Sequence, residues 1–116
     1  MPSTTSYKQG DIVLVSFPFT DLTSSKRRPA LVVSPDSFNA AGEDLVLAAI
    51  TSQITDDPHA IPLSRDDYAD GELPKKSMVK PTKLFTMHSS LIIKKVCALR
   101  EKRTEDVLRS VQRFFS

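Results

Sequence analysis

The groups in this chain that could do chemistry are its carboxylates, two histidines, one cysteine and a block of cations ahead of a proline. Metal-assisted hydrolysis would need acids that converge. Asp36 in Ser34-Pro35-Asp36 begins as a metal-nuclease motif would, but the pair Glu43-Asp44 lacks the nearby lysine that completes it. Asp56-Asp57 and Asp66-Asp67 are adjacent pairs, and neighbours in an extended chain point to opposite sides, which suits joint coordination of one ion poorly. No metal site and no cofactor are therefore expected. His59 lies in a proline-bounded loop and His88 precedes Ser89-Ser90, and both read as surface residues rather than as an acid or base. Cys97 has no second thiol for a disulfide or a zinc site and reads as a small buried apolar residue. No G-x-S-x-G elbow, glycine-rich phosphate loop or H-E-x-x-H is present, and three glycines are too few for a P-loop.

What remains is the stretch SSKRRPALVVS, residues 24–34, in which Lys26, Arg27 and Arg28 stand directly before Pro29 and an apolar run. Strand alternation places Arg28 on the side of Ala30 and Val32, so its guanidinium is expected at the edge of the core, partly desolvated. Such a cation binds phosphate more strongly than a fully solvated one, and its planar fork presents paired donors. An arginine that satisfies a carboxylate or carbonyls at a strand end accounts for the same pattern equally well.

The elements that must carry these groups are mostly strands. DIVLVSF (11–17) is rich in β-branched and aromatic residues and is followed by a turn-forming loop. A second strand is expected from Pro29 to Val33, with the proline as its first residue. SPDSFNAAGED suits a loop with one helical turn, and LVLAAI (45–50) is apolar on both faces, as a strand covered on two sides would be, with Thr51 at its exit. Ala60 to Leu63 suits a short strand, SMVK and KLFTM one strand broken near Pro81, and KKVCAL another. At the end, Thr104 suits a helix N-cap, and Val107, Leu108, Val111, Phe114 and Phe115 form one stripe. The expected architecture is mainly β: one domain over residues 1–116, a small bent sheet or barrel covered by a C-terminal helix.

Composition bounds the function further. With 116 residues, 40% hydrophobic and 26% charged, the chain suits one globular domain with its own core. No apolar stretch reaches the roughly 20 residues of a membrane span, and MPSTTSYKQGD lacks the layout of a signal peptide, so a cytoplasmic location is expected. A net charge of +2 does not by itself indicate nucleic acid. The distribution says more. Cations gather at Lys26 to Arg28, at Lys75, Lys76, Lys80 and Lys83, and around Lys94, Lys95, Arg100, Lys102 and Arg103, while acids gather at Asp56-Asp57 and from Asp66 to Glu72, a segregation that can build an anion-binding face.

Four blocks in order, GDIVLVSFPFTD, KRRPALVVS, AAITSQI after an apolar strand, and KLFT before a tail helix, resemble the MazF/PemK (Kid-type) toxins of toxin–antitoxin pairs, from about Tyr7 to Phe115. The resemblance implies a homodimeric SH3-like barrel with a C-terminal helix that cuts single-stranded RNA at short sequences without a metal ion. It also implies an antitoxin whose flexible segment covers the cationic groove. The implied reaction is attack of a ribose 2′-hydroxyl on the adjacent phosphate, which leaves a 2′,3′-cyclic phosphate and a 5′-hydroxyl.

By the same resemblance Arg28 would stabilise the developing phosphoryl charge, as a candidate donor of the leaving group's proton, and Thr51 would hydrogen-bond the scissile phosphate. A guanidinium is a poor base, so the group that takes the 2′-hydroxyl proton is open. RNA grip would fall to Ser24, Ser25, Lys26 and Arg27 in the first loop, to Gln53 reading a base edge, and to Lys80, Thr82 and Lys83. Phe17 or Phe19 could stack on a base, although a core role suits both. Two departures stand out. An Arg and an Asp that act in some relatives are matched here by Lys80 and Thr82, so no carboxylate is supplied there, and no histidine lies among Thr20 to Ser25. Two other functions suit the same barrel: a non-catalytic toxin that binds gyrase as the CcdB relatives do, and a plain RNA-binding module.

Overall fold

The computed structural model of the chain describes residues 6–18 and 25–116, and of residues 17, 18, 25 and 26 the backbone alone. Seven strands form one antiparallel sheet: β1 (Asp11–Pro18), β2 (Ser25–Val32), β3 (Asp44–Thr51), β4 (Ile61–Leu63), β5 (Tyr68–Asp70), β6 (Ser77–His88) and β7 (Ile92–Leu99). Their order across the sheet is β4-β6-β3-β2-β1-β7-β5. The sheet curls into an SH3-like half-barrel, with a short helix α1 (Asp36–Ala41) before β3 and a longer helix α2 (Glu101–Phe114) at the C-terminus.

Alternation along the strands divides the core in two. Ile12, Leu31, Ala48, Ile50, Val79 and Leu99 turn to one face, where Val107 of α2 is fully buried and Leu108 and Val111 pack against them. Val13, Val15, Ala30, Val32, Leu45 and Leu47 turn to the other, against Ile92, Phe85 and Tyr7. This two-sided burial is why β3 is apolar at nearly every position.

Four sequence expectations change in detail. Pro29 sits inside β2, not at its start, paired with Leu14. It is tolerated because β3 begins to pair with β2 only at Ala30, so on that side Pro29 occupies an unpaired edge and its missing N–H breaks no ladder. Residues 25–28 therefore extend β2 as one half of a two-stranded arm with β1. β6 is continuous rather than broken: its pairing with β3 steps from Ala48↔Leu84 to Ala49↔Lys80, and the residues left over, 81–83, begin at the donor-less Pro81.

α2 is capped by Arg100, one turn earlier than expected, and Thr104 instead donates its hydroxyl to the Arg100 carbonyl at 3.0 Å inside the first turn. What fixes the early start is tertiary: the Arg100 N–H bonds the Asp67 carbonyl, and Arg103 reaches the Pro62 carbonyl and the Asp67 and Asp106 carboxylates. The apolar stripe ends at Val111. Phe114 and Phe115 are 47% and 70% exposed, and Phe114 packs edge-on against His59 rather than into the core.

Candidate functional site

Arg28 and Thr51 come from different strands and are brought to the same place by register. β2 and β3 pair as Val32↔Leu47, Leu31↔Ala48 and Ala30↔Ala49. Arg28 lies two residues beyond that last pair on one strand and Thr51 two residues beyond it on the other, so both stand at the same end of the ladder. Side chains repeat every second residue, so both also share the face of Ala30 and Ala49. Arg28 is exposed, against the expectation of a partly desolvated guanidinium. The cause is the arm: among the described residues no third strand pairs with β2 there. Thr51 is half-buried, and its Oγ1 accepts the Gln53 N–H at 3.0 Å, which turns the chain after β3 and leaves Gln53 exposed beside it.

The open end of the half-barrel holds a cleft of about 670 Å³ that Arg28 lines and Thr51 does not. Leu14, Pro29 and Ile50 of its wall alternate with Val15, Arg28 and Thr51, so the cleft opens on the face opposite Ala30 and Ala49, and Arg28 reaches it from the strand edge. Arg27, Arg28, Lys75 and Lys94 line it, and no carboxylate does among the described residues. Register explains the convergence. Leu14 pairs with Pro29 on one side and with Lys94 on the other, which sets the β7 lysine across the cleft from the β2 arm. The next residue, Lys95, turns away and meets Asp11 at 3.4 Å. The floor is aliphatic, built from Leu14, Ile50, Leu73 and Val96, and Ser52 and Ser77 also line the cleft.

Other residues assigned from the sequence stand elsewhere. Lys80 lies opposite Ala49 on β6, half-buried, with its ammonium 3.6 Å from the Asp57 carboxylate. The His59 N–H, and after it the Lys80 charge, hold Asp57 below the ordinary carboxylate range. Thr82 lines a separate cavity with His59, Arg113 and Phe114, and Lys83 is exposed in the bulge. The structure thus places a carboxylate, Asp57, beside Lys80 from the loop after β3, where the β6 sequence itself offers none. Ser24 and Phe19 lie outside the described residues, as do the side chains of Ser25, Lys26 and Phe17. Arg100 and Arg103 of the third cation cluster anchor α2 instead of facing the cleft. Lys75 and Lys94 carried a signal in the sequence, the clustering of cations, but nothing local singled them out as facing Arg28.

His88 bonds Ser90 and approaches Glu43 on an exposed edge, and Cys97 is buried, with its thiol pushed up to about 11 by burial first and the Asp70 charge second. Among the described residues no group of three or more His, Cys, Asp and Glu side chains is placed to hold a metal ion, and no helix is long and apolar enough to cross a membrane.

The model of the PemK-like, MazF-like toxins of type II toxin–antitoxin systems matches residues 8–115, nearly the whole chain. The chain belongs to this family. Solved structures agree with the MazF-like fold. A MazE–MazF complex from Deinococcus radiodurans superposes with a TM-score of 0.79 at 17% identity, covering 97% of each chain. An endoribonuclease from a mycobacterial species gives 0.75 at 12% identity over 97% of this chain and 93% of that one. The Mycobacterium tuberculosis toxin MazF-mt6 gives 0.68 at 14% identity over 89% and 95%. No curated protein matches the sequence. In this MazF-like chain the R-P-A-L-V block is the β2 arm and the A-I-T block the end of β3, so two of the four motifs meet at the cleft rim.

Proposed function

We propose that this MazF-like protein is an endoribonuclease toxin that cuts single-stranded RNA at a short sequence, without a metal ion, and is held in check by a cognate antitoxin. The observation that carries this reading is the placing of Arg28 and Thr51 at one end and on one face of the β2–β3 ladder, with Arg28 also lining a cleft that has four cations and no described carboxylate. A phosphodiester there would have its negative oxygens facing a guanidinium fork and a hydroxyl. The family supports the toxin role, and mycobacterial structural neighbours described as endoribonucleases support the RNA chemistry.

The chemistry is the one that the resemblance to the family implies. A 2′-hydroxyl gives up its proton to solvent as its oxygen bonds the adjacent phosphorus, the P–O5′ bond breaks, the 5′-oxygen takes up a proton, and the products are a 2′,3′-cyclic phosphate and a 5′-hydroxyl. Charge builds on the non-bridging oxygens in passing, so a fixed cation lowers the barrier by about 3–4 kcal/mol if it acts as one oxyanion donor does elsewhere. Arg28 fills that role and donates toward the leaving oxygen, and Thr51 Oγ1, already accepting from Gln53, directs its own proton to the phosphate. Arg27, Lys75 and Lys94 hold neighbouring phosphates. Ser24, Ser25, Lys26, Gln53, Lys80, Thr82 and Lys83 form the outer contacts of a longer RNA, with a second copy of the chain completing a homodimer. The toxin works in the cytoplasm as one domain, and its antitoxin covers the cationic cleft; MazE–MazF complexes among the neighbours support that partner.

The test is a mixed RNA incubated with purified protein in EDTA, with new 5′ ends mapped and Arg28→Ala as control. Cutting at a repeated short word that Arg28→Ala loses supports the reading. Cutting only after magnesium is added discards the mechanism, and RNA binding without cutting in either condition transfers the protein to the binding-only class.

A further inference from the structure

We infer that the cleft at the barrel mouth is a nucleobase pocket, which seats the base next to the cut phosphodiester and reads its edge with the Ser77 hydroxyl. The inference rests on the RNA-cleaving reading and adds to it the group that selects the base.

The shape and chemistry of the cleft fit one nucleotide unit. Its volume, about 670 Å³, falls within the range of small-molecule sites, roughly 300–1,000 Å³. Its floor of Leu14, Ile50, Leu73, Pro74 and Val96 is apolar, and no aromatic side chain is among the described lining residues, so a base would be held by dispersion against aliphatic groups. Cations stand on the rim instead of in the floor: Arg27 and Arg28 on the arm, Lys75 before β6, Lys94 on β7. A ligand apolar in the middle and anionic at both ends is complementary to that arrangement. A nucleobase between two phosphates has that form.

Ser77 supplies direction. The residue is 4% exposed, lines the cleft, and donates its hydroxyl proton to the Lys75 carbonyl at 2.9 Å. With the proton committed, the oxygen offers only lone pairs to a ligand. It therefore accepts from a ring N–H or an amino group and discriminates against an edge that presents an acceptor. Arg28 lines the same cleft and Ser52 stands exposed at its edge, so a strand whose cut phosphate rests on Arg28 carries its next base into the cleft.

The test begins with wild-type cut sites mapped in a randomised RNA pool. A pentanucleotide of the preferred word is then made with a 2′-deoxyribose at the cut position, which removes the nucleophile, and each base is varied in turn. Affinity is measured by fluorescence anisotropy for wild type, Ser52→Trp and Ser77→Ala, with thermal melts to establish that each is folded. The expected results are at least 10-fold weaker binding for Ser52→Trp, which fills the mouth, and for Ser77→Ala a loss of about 3- to 10-fold in base discrimination at one position only. Lys94→Glu, at an exposed rim site, should weaken all the oligonucleotides alike and serves if Ser52→Trp does not fold. Wild-type cutting with unchanged affinity and base preference in these variants overturns the pocket while leaving RNA cleavage standing. Loss of binding to a leucine-containing, Asp- and Glu-rich peptide in Ser52→Trp, with oligonucleotide binding intact, assigns the cleft to a protein partner and overturns it too. A wild-type protein that cuts no RNA overturns the RNA reading and the pocket with it.

Discussion

Arg28 and Thr51 each stand two residues past the Ala30–Ala49 pair, on facing antiparallel strands, so a guanidinium and a hydroxyl 23 positions apart in sequence occupy one end and one face of a single ladder. Each group alone has an ordinary structural explanation. Their shared position is what a phosphodiester site requires. Arg28→Ala should lower the cleavage rate about 10²- to 10³-fold, the loss seen when one oxyanion donor is removed. Because the residue is exposed, its melting transition should move little. Arg28→Lys keeps the charge and loses the fork, and should recover only part of the rate. Single-turnover cleavage of a defined RNA beside a thermal melt checks both points.

Thr51→Val keeps the β-branched shape and removes the oxygen that accepts the Gln53 N–H. The lost hydrogen bond should cost about 0.5–1.5 kcal/mol of stability, and cleavage should fall further than binding of a 2′-deoxy-blocked RNA. An equal loss in binding and in cleavage would make Thr51 a grip residue with no part in the chemistry.

Salt should discriminate the cleft cations from the paired ones. For single-stranded RNA, the slope of log affinity against log salt is about −0.7 per neutralised phosphate. Lys75→Ala and Lys94→Ala should each flatten that slope by about 0.7 if each lysine holds one phosphate, as the cleft reading requires. Lys95→Ala should leave it nearly unchanged, since that ammonium faces Asp11. Titrations from low to high potassium chloride read the difference.

Cys97 gives a pH prediction with a definite sign. Its folded thiol is pushed up from 9.0 to about 11, mainly by burial. Between those values the unfolded chain has released the proton that the folded chain still holds. The stability that this thiol contributes is therefore complete below pH 9 and falls as pH rises toward 11. Urea unfolding across that interval should show a downward slope that Cys97→Ala reduces, and a thiol reagent at pH 8 should label the protein only once it is unfolded.

Gly10 holds φ at +99°, and a Cβ added there would lie 2.9 Å from Thr104 Oγ1 in the first turn of α2. Gly10→Ala should cost about 1–3 kcal/mol through backbone strain, with the contact against α2 adding to it. Gly42→Ala is the control. Its φ is −141° and an added Cβ meets nothing within 4 Å, so urea midpoints should separate the two variants clearly.

Local pattern revealed much of the fold. The alternation in DIVLVSF, the doubly apolar LVLAAI and the 3.6-residue stripe of the tail each reflect forces between near neighbours, and each became the element expected. Errors fell where distant chain decides. Pro29 looks like a strand start until the later onset of β3 pairing shows an edge that needs no donor. Thr104 looks like a cap until Asp67 and Pro62 anchor Arg100 and Arg103 one turn earlier. Phe114 and Phe115 continue the stripe in sequence and project beyond the core in space.

The candidate site divides in the same way. The sequence by itself determined which chemical groups exist, that three cations precede a strand, that a threonine ends another, and, through the order of four motifs, the family to which the chain belongs. The tertiary structure decided which of those groups meet. Lys94 faces the arm because Leu14 pairs with both Pro29 and Lys94, and Asp57 supplies Lys80 with a carboxylate that its own strand lacks. The physical reason is that a strand's register is set by the whole sheet's burial pattern and bulges, and a shift of one residue sends every side chain to the opposite face. No local stretch of sequence contains that information.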